Sequence, residues 1–118
     1  MQMVIVLIQW KIKPNLVEIF KDWWLNETIP ASSGGLFGEF LSNPIPKSEF
    51  NYKVNDLIPD SGDYVPFVNV GIWESELRFQ EVVGHLFNDD APKKEFEFSR
   101  RERTLLNPFA EHRGTWQL

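Results

Sequence analysis

The feature that most constrains the fold is a run from Val65 to Trp73 with large apolar side chains in both of its alternating sets. Successive residues of a strand point to opposite faces of a sheet, so a strand with this pattern must be covered on both sides. Asn69 is the polar exception, and Gly71 removes a side chain where another group can approach closely. We therefore predict a central strand over Val65–Trp73.

A helix is predicted directly after this strand, because the spacing of apolar residues changes there from two to about 3.6. Ser75 is placed to cap the helix, and Glu76 in its first turn is favoured by the helix dipole. The helix is expected to end near Asn88. Its apolar stripe comprises Phe79, Val82, Val83, Leu86 and Phe87.

A second run that is apolar on both faces, Met3–Ile12, predicts another central strand, with Gln9 as its polar exception. Pro14 ends this strand, and Asn15 with Glu18 is typical of a capping box at a helix start. We predict that the helix spans residues 16 to 27. Its stripe is expected to hold Leu16, Ile19, Phe20, Trp23 and Glu27.

The remaining segments are less regular. Leu36–Leu41 predicts the second strand, and the polar insert at about residues 44–63 either serves a function or is an idle surface loop. A short strand at Phe50–Val54 is an option within that insert. Phe96–Leu106 predicts the last strand, although its arginine-rich middle also allows a helix. The tail, residues 107–118, contains Phe109 and Trp116, which indicates that it docks on something.

Composition is that of one globular domain. The chain has 118 residues, of which 42% are hydrophobic and 25% charged, and it carries ten Phe and five Trp. A net charge of −5 argues against nucleic-acid binding, and the absence of Cys excludes disulfides and thiolate metal sites. The apolar start at Met3–Ile8 is too short to span a bilayer and lacks the features of a signal peptide. A cytoplasmic location without membrane association is the expectation.

The order of elements predicts the architecture. Strand, helix, strand, strand, helix, strand is the ferredoxin-like βαββαβ pattern, an α+β fold with a four-stranded antiparallel sheet. Right-handed crossovers place both helices on one face, which leaves the other apolar face bare. Because large exposed apolar patches mark interfaces, we expect a homodimer that packs sheet against sheet.

One local motif carries a family resemblance. The segment W-E-S-x-x-x-F, formed by Trp73, Glu74, Ser75 and Phe79, resembles that of the antibiotic biosynthesis monooxygenase-like (ABM) family. Together with the order of elements, the resemblance covers about residues 3–106. It implies a dimeric α/β barrel and a cofactor-independent monooxygenase that oxidises an aromatic or polyketide-like compound. Other members of this class degrade haem, and a non-enzymatic ligand-binding or structural homodimer is the alternative.

Candidate site residues follow from the strands and from this resemblance. Gln9, Asn69 and Trp73 are expected to converge in one pocket as catalytic groups that orient a substrate and stabilise charge. His85, Trp23 and Phe79 are the candidate ligand-binding residues. Haem-degrading relatives have an Asn near the position of Gln9, a Trp that matches Trp73, and a His on the second helix, where His85 is the candidate.

Each of these residues also has a plain structural interpretation. Trp73 could be a core aromatic, and Asn69 and Gln9 could satisfy buried backbone groups. No metal site and no cofactor are expected, because no nucleotide-binding or metal-binding motif is present. The run Arg100–Arg103 could bind an anionic substrate, although such a run is more often a solvated strand edge.

Overall fold

The computed structural model describes residues 3–27, 34–57, 62–84, 91–112 and 114–115. Strand β1 is followed by helix α1, strands β2 and β3, helix α2 and strand β4. Their bounds are Val4–Ile12 (β1), Val17–Asn26 (α1), Leu36–Ser42 (β2), Val65–Trp73 (β3), Glu76–Val83 (α2) and Glu97–Leu106 (β4). Two short 3₁₀ turns, Pro14–Leu16 and Lys47–Glu49, complete the regular structure of these residues.

The strands form one antiparallel sheet in the order β2-β3-β1-β4. The predicted α+β class and four-stranded antiparallel sheet are confirmed, and the order is compatible with a ferredoxin-like fold. The two runs with apolar residues in both alternating sets, β1 and β3, are the central pair, as their sequence pattern requires.

The register of the central pair decides which residues share a face. Ile8 lies opposite Asn69 and Trp10 opposite Phe67, whereas Gln9 lies opposite Val68. The face of Ile8 and Asn69 is the helix face, because its side chains pack with those of α1 and α2 in two clusters. The buried members of these clusters are Val4, Val6, Trp10, Ile12, Phe20, Phe67, Trp73, Phe79, Val83 and Phe96.

The face that carries Gln9 and Val68 is called the outer face. The segment 43–57 lies against one end of it, where Ile45 and Leu57 line a pocket together with Val68. Elsewhere its apolar side chains are accessible: Phe40 is 56% exposed and Leu106 is 42% exposed. The insert therefore covers a part of this face, which the sequence did not lead us to expect.

N-cap residues were predicted for both helices, and only one of the two predictions is confirmed. Ser75 caps α2 as predicted, since its Oγ accepts a hydrogen bond from the Arg78 backbone N–H at 3.1 Å. The predicted capping box at Asn15 is wrong. Pro14 opens a 3₁₀ turn, in which the Leu16 N–H donates to the Lys13 carbonyl at 2.9 Å, so that α1 starts after Asn15 with no side-chain cap.

The remaining expectations are confirmed, need correction or lie outside the described residues. Ile19 does not belong to the buried stripe of α1, because it is 56% exposed while Phe20 is fully buried. The optional strand at Phe50–Val54 is absent, and the arginine-rich segment is strand β4 rather than a helix. The predicted end of α2 near Asn88, with Leu86 and Phe87, lies outside the described residues, and so does Trp116. Phe109 of the tail is fully exposed.

None of the helices in the described part of the chain is long and apolar enough to cross a membrane.

Candidate functional site

A cavity of about 70 Å³ lies between the helix face of the sheet and the two helices, and it is open on one side. Val6, Ile8 and Trp10 of β1 form its floor, and Trp23 and Trp24 of α1 form part of its wall. Tryptophan is thus the dominant side chain of the wall. An apolar pocket with a few polar groups is the usual form of a small-molecule site.

The polar centre of the cavity is Asn69 on β3, which is only 3% exposed. Its Oδ1 accepts a hydrogen bond from the Trp24 indole Nε1–H at 3.0 Å, and its Nδ2 donates to Glu39 Oε2 at 3.4 Å. One buried amide therefore links α1, β3 and β2. Because both ends of the amide have partners, its orientation in the cavity is fixed.

Glu39 on β2 is the acidic group of this network. Burial raises the pKa of its carboxyl group above the ordinary value, and the hydrogen bond from Asn69 opposes that rise in part. Glu39 pairs across the strands with Gly71. A Cβ at Gly71 would lie 3.0 Å from Trp73 Nε1 and 3.7 Å from Glu39 Cβ, so glycine makes room for both side chains.

Trp73 and Phe79 close one end of the cavity. Trp73 is 1% exposed and Phe79 is 3% exposed, and their rings meet edge to face with centroids 5.5 Å apart. Both side chains line the cavity and also belong to the core around Val4 and Val6. Trp73 and Phe79 therefore pack the core and form the cavity wall at the same time.

Trp10 and Arg101 form the other end. The Arg101 guanidinium lies 4.4 Å from the centre of the Trp10 ring, and its Nε donates to Glu97 Oε1 at 3.0 Å. Glu97 is buried, and its other oxygen accepts from the Lys94 backbone N–H at 2.9 Å. Trp10 is 2% exposed, and within the described residues its indole Nε1–H has no hydrogen-bond partner.

Charges of opposite sign line opposite sides of the cavity. Glu39 lies on edge strand β2, whereas Arg101 and Arg103 lie on edge strand β4. Glu27, at the end of α1, adds an exposed carboxylate to the lining. Three strand spacings separate β2 from β4, roughly 14 Å across the sheet. The cavity is therefore polar at its two sides and aromatic between them.

Four of the predicted site residues come together here. Asn69, Trp73, Trp23 and Phe79 all line the cavity. Gln9 does not, because it lies opposite Val68 and so points to the outer face. The expectation that it converges with Asn69 and Trp73 is wrong in its geometry. His85 lies outside the described residues, so its ligand-binding role stays a prediction.

The sequence did not lead us to predict that Glu39, Trp24 and Trp10 line the cavity. A signal for Glu39 was present, because a carboxylate between Gly38 and Phe40 interrupts an otherwise apolar strand. Trp24 was regarded only as a widening of the apolar side of α1. Its hydrogen bond to Asn69 joins residues distant in sequence, and no local pattern indicates it.

Comparison with known proteins adds no identification: no protein-family model matches the chain, and a search of curated proteins found no match. Within the described part of the chain, no group of three or more His, Cys, Asp or Glu side chains could hold a metal ion. A function is therefore inferred from the cavity and its side chains.

The raised pKa of Glu39 makes a prediction about stability and pH. Between the ordinary and the raised pKa the folded protein holds a proton that the unfolded chain has lost, so stability falls as pH rises through this window. We expect the urea midpoint of the wild type to fall between about pH 5 and about pH 8 by more than that of Glu39→Gln. Glu102→Gln, which removes a carboxylate on the outer face, should keep the wild-type slope. Parallel pH profiles for wild type and Glu39→Gln would contradict this assignment.

Proposed function

We propose that this chain is a small-molecule monooxygenase of the ABM-like type, which oxidises an aromatic compound without a cofactor. The observation that carries the proposal is the buried amide of Asn69, held between Trp24 and Glu39 in a cavity walled by indoles. Flat aromatic walls bind a planar ring, and a fixed amide orients it. The resemblance of the Trp73-to-Phe79 segment to the ABM family supports the same activity.

The size of the cavity narrows the substrate. Its volume of about 70 Å³ is roughly half that of the ~150 Å³ engineered cavity that accepts benzene. A single ring held partly in the open mouth fits this space better than a fused polyketide does. We therefore place a single-ring phenol, rather than a larger polyketide-like compound, first among the candidate substrates.

The proposed reaction needs a proton acceptor and an oriented ring. Glu39, whose pKa is raised by burial, accepts the phenolic proton. The ring carbon opposite the phenolate oxygen then gives two electrons to O₂ and forms a C–O bond, and a proton completes the hydroperoxide. Loss of the remaining C–H proton and cleavage of the O–O bond leave a quinone and one water. Phenol plus O₂ thus gives benzoquinone plus water, with atoms and electrons balanced.

The alternative is a non-enzymatic member of the same fold. The packing of the cavity wall favours it, because Trp23 stacks on the buried Phe20 with centroids 6.4 Å apart and meets Phe96 at 5.2 Å. In that case the indoles serve the core, and Asn69 satisfies Trp24 and Glu39 without any role in chemistry.

We also propose that two copies of the chain pack through their outer faces. Ile5, Leu7 and Val70 at the centre of that face are half-buried, and Phe40 beside Val70 is more than half exposed. Contiguous apolar surface on a sheet is typical of an interface, and a two-fold dimer is its simplest closed form. A cytoplasmic location is proposed as well, supported by the absence of Cys.

Trp73→Phe separates the enzymatic from the structural proposal. Oxygen uptake with phenol as substrate, and incorporation of ¹⁸O₂ into benzoquinone, measure turnover, while urea unfolding measures stability. If Trp73 positions the ring, turnover should fall about tenfold or more, and by more than in a packing variant that loses a similar amount of stability. Val4→Ala, in the same buried cluster as Trp73 but outside the cavity lining, is the control for packing. A variant that loses stability but keeps turnover would contradict the catalytic role of Trp73.

Leu7→Arg tests the proposed dimer. A guanidinium at the centre of the outer face would be buried without a partner in the interface, so sedimentation should show monomers where the wild type shows dimers. Leu77→Arg, at a side chain of α2 that is 60% exposed, is the matched control and should leave the dimer intact. A wild-type protein that sediments as a monomer at micromolar concentration would refute the proposal.

A further inference from the structure

The cavity has a charged group on each of two sides, and the proposed oxidation gives a role to only one of them. A phenol needs only the Glu39 side, yet the other side is formed by two arginines and the Trp10 ring. The run Arg100–Arg103 raised the option of an anionic ligand on sequence grounds, and the strand register now decides which of its members face the cavity.

Register divides that run between the two faces of the sheet. Arg103 lies opposite Ile8, on the helix face, and Glu102 lies opposite Gln9, on the outer face. Arg101 and Arg103 both line the cavity, and neither Arg100 nor Glu102 does. Arg101 and Arg103 are two residues apart in a strand, so their side chains share the face that lines the cavity.

Arg101 and Arg103 differ in their surroundings. The side chain of Arg101 is 14% exposed, and it pairs with Glu97, whose side chain is 2% exposed. That carboxylate offsets the charge of Arg101 and fixes its planar group over the Trp10 ring. Arg103 is half-buried and adds a second positive side chain to the same side of the cavity.

The indole N–H of Trp10 is the second observation that points to a ligand. Trp10 lines the cavity beneath Arg101, and its Nε1–H is buried without a hydrogen-bond partner in the described part of the chain. A buried donor without an acceptor costs free energy comparable to a lost hydrogen bond. An oxygen atom of a ligand near Arg101 would supply that acceptor.

From this arrangement we propose that the ligand is a single-ring hydroxylated aromatic acid. Its ring lies between the indoles and partly in the open mouth of the cavity. Its hydroxyl group faces Glu39 and Asn69, and its carboxylate faces Trp10, Arg101 and Arg103. The inference rests on the proposed function only for the site of binding. Binding itself requires no oxidation, so the two can fail separately.

The binding test uses three one-ring probes: 3-hydroxybenzoate, benzoate and phenol. In 3-hydroxybenzoate the ring position opposite the hydroxyl group carries no substituent, so the probe also suits the proposed oxidation. Quenching of tryptophan fluorescence, with calorimetry as a second readout, gives the affinities. We expect 3-hydroxybenzoate to bind about tenfold or more tightly than either benzoate or phenol, since it alone engages both sides.

Variants assign each side of the cavity. Arg103→Gln should weaken the binding of 3-hydroxybenzoate and of benzoate by about tenfold and leave the affinity for phenol unchanged. Glu39→Gln should weaken the binding of phenol and leave the affinity for benzoate unchanged. The matched controls are Arg100→Gln, which removes a positive charge, and Glu102→Gln, which removes a negative charge. Neither residue lines the cavity. Arg103→Lys keeps the charge and should retain part of the affinity for benzoate. Arg101 is left intact because its removal would leave Glu97 buried and unpaired.

The outcomes separate this inference from the proposed function. Equal affinity for the three probes, no binding of any of them at millimolar concentration, or an equal effect of Arg103→Gln and Arg100→Gln would overturn the ligand class. If 3-hydroxybenzoate binds as expected and no oxygen is consumed, the ligand class stands and the oxidation fails. If phenol is oxidised and Arg103→Gln changes nothing, the oxidation stands and the ligand class fails.

Discussion

The pairing of β1 with β3 is the interaction on which the rest of the structure depends. Both strands are apolar in both alternating sets, so neither can lie at an edge or face water without a large cost. Their register puts Ile8 beside Asn69 and Gln9 beside Val68. This register assigns every side chain of the central pair either to the face under the helices or to the outer face, because a slip of one residue would exchange the two sets.

The cavity is a consequence of what this register brings to the helix face. Gly71 leaves space over β3, and Glu39 from β2 and Trp73 fill its edges without closing it. A half-buried carboxylate and a buried indole N–H without a partner in the described residues both oppose folding. A core built for stability alone would place apolar side chains there. The retention of polar groups at such a position is typical of a functional site, where local stability is lower than packing could provide.

The sequence pattern correctly predicted those features that depend on residues close together in the chain. The alternation over Val65–Trp73 and the side-chain cap at Ser75 were both confirmed, because strand faces and helix caps depend on neighbours in sequence. Gln9 was misplaced because the face it shares with β3 depends on a register between distant strands. Asn15 failed as a cap because it lies inside the 3₁₀ turn that Pro14 opens. Glu39 was missed because its burial depends on Gly71 across the sheet, which the sequence of β2 does not contain.

We propose that both faces of the sheet are covered, one by the chain's own helices and the other by segment 43–57 at one end and by a second copy over the rest. Hydroxyl-radical footprinting of the native protein tests it residue by residue. The account predicts that Phe40 and Leu106 on the outer face react slowly although they are 56% and 42% exposed in one chain, while Leu25 and Leu77 on the helices, at 72% and 60%, react as solvated side chains. Reaction of Phe40 and Leu106 at the rates of solvated side chains would contradict it.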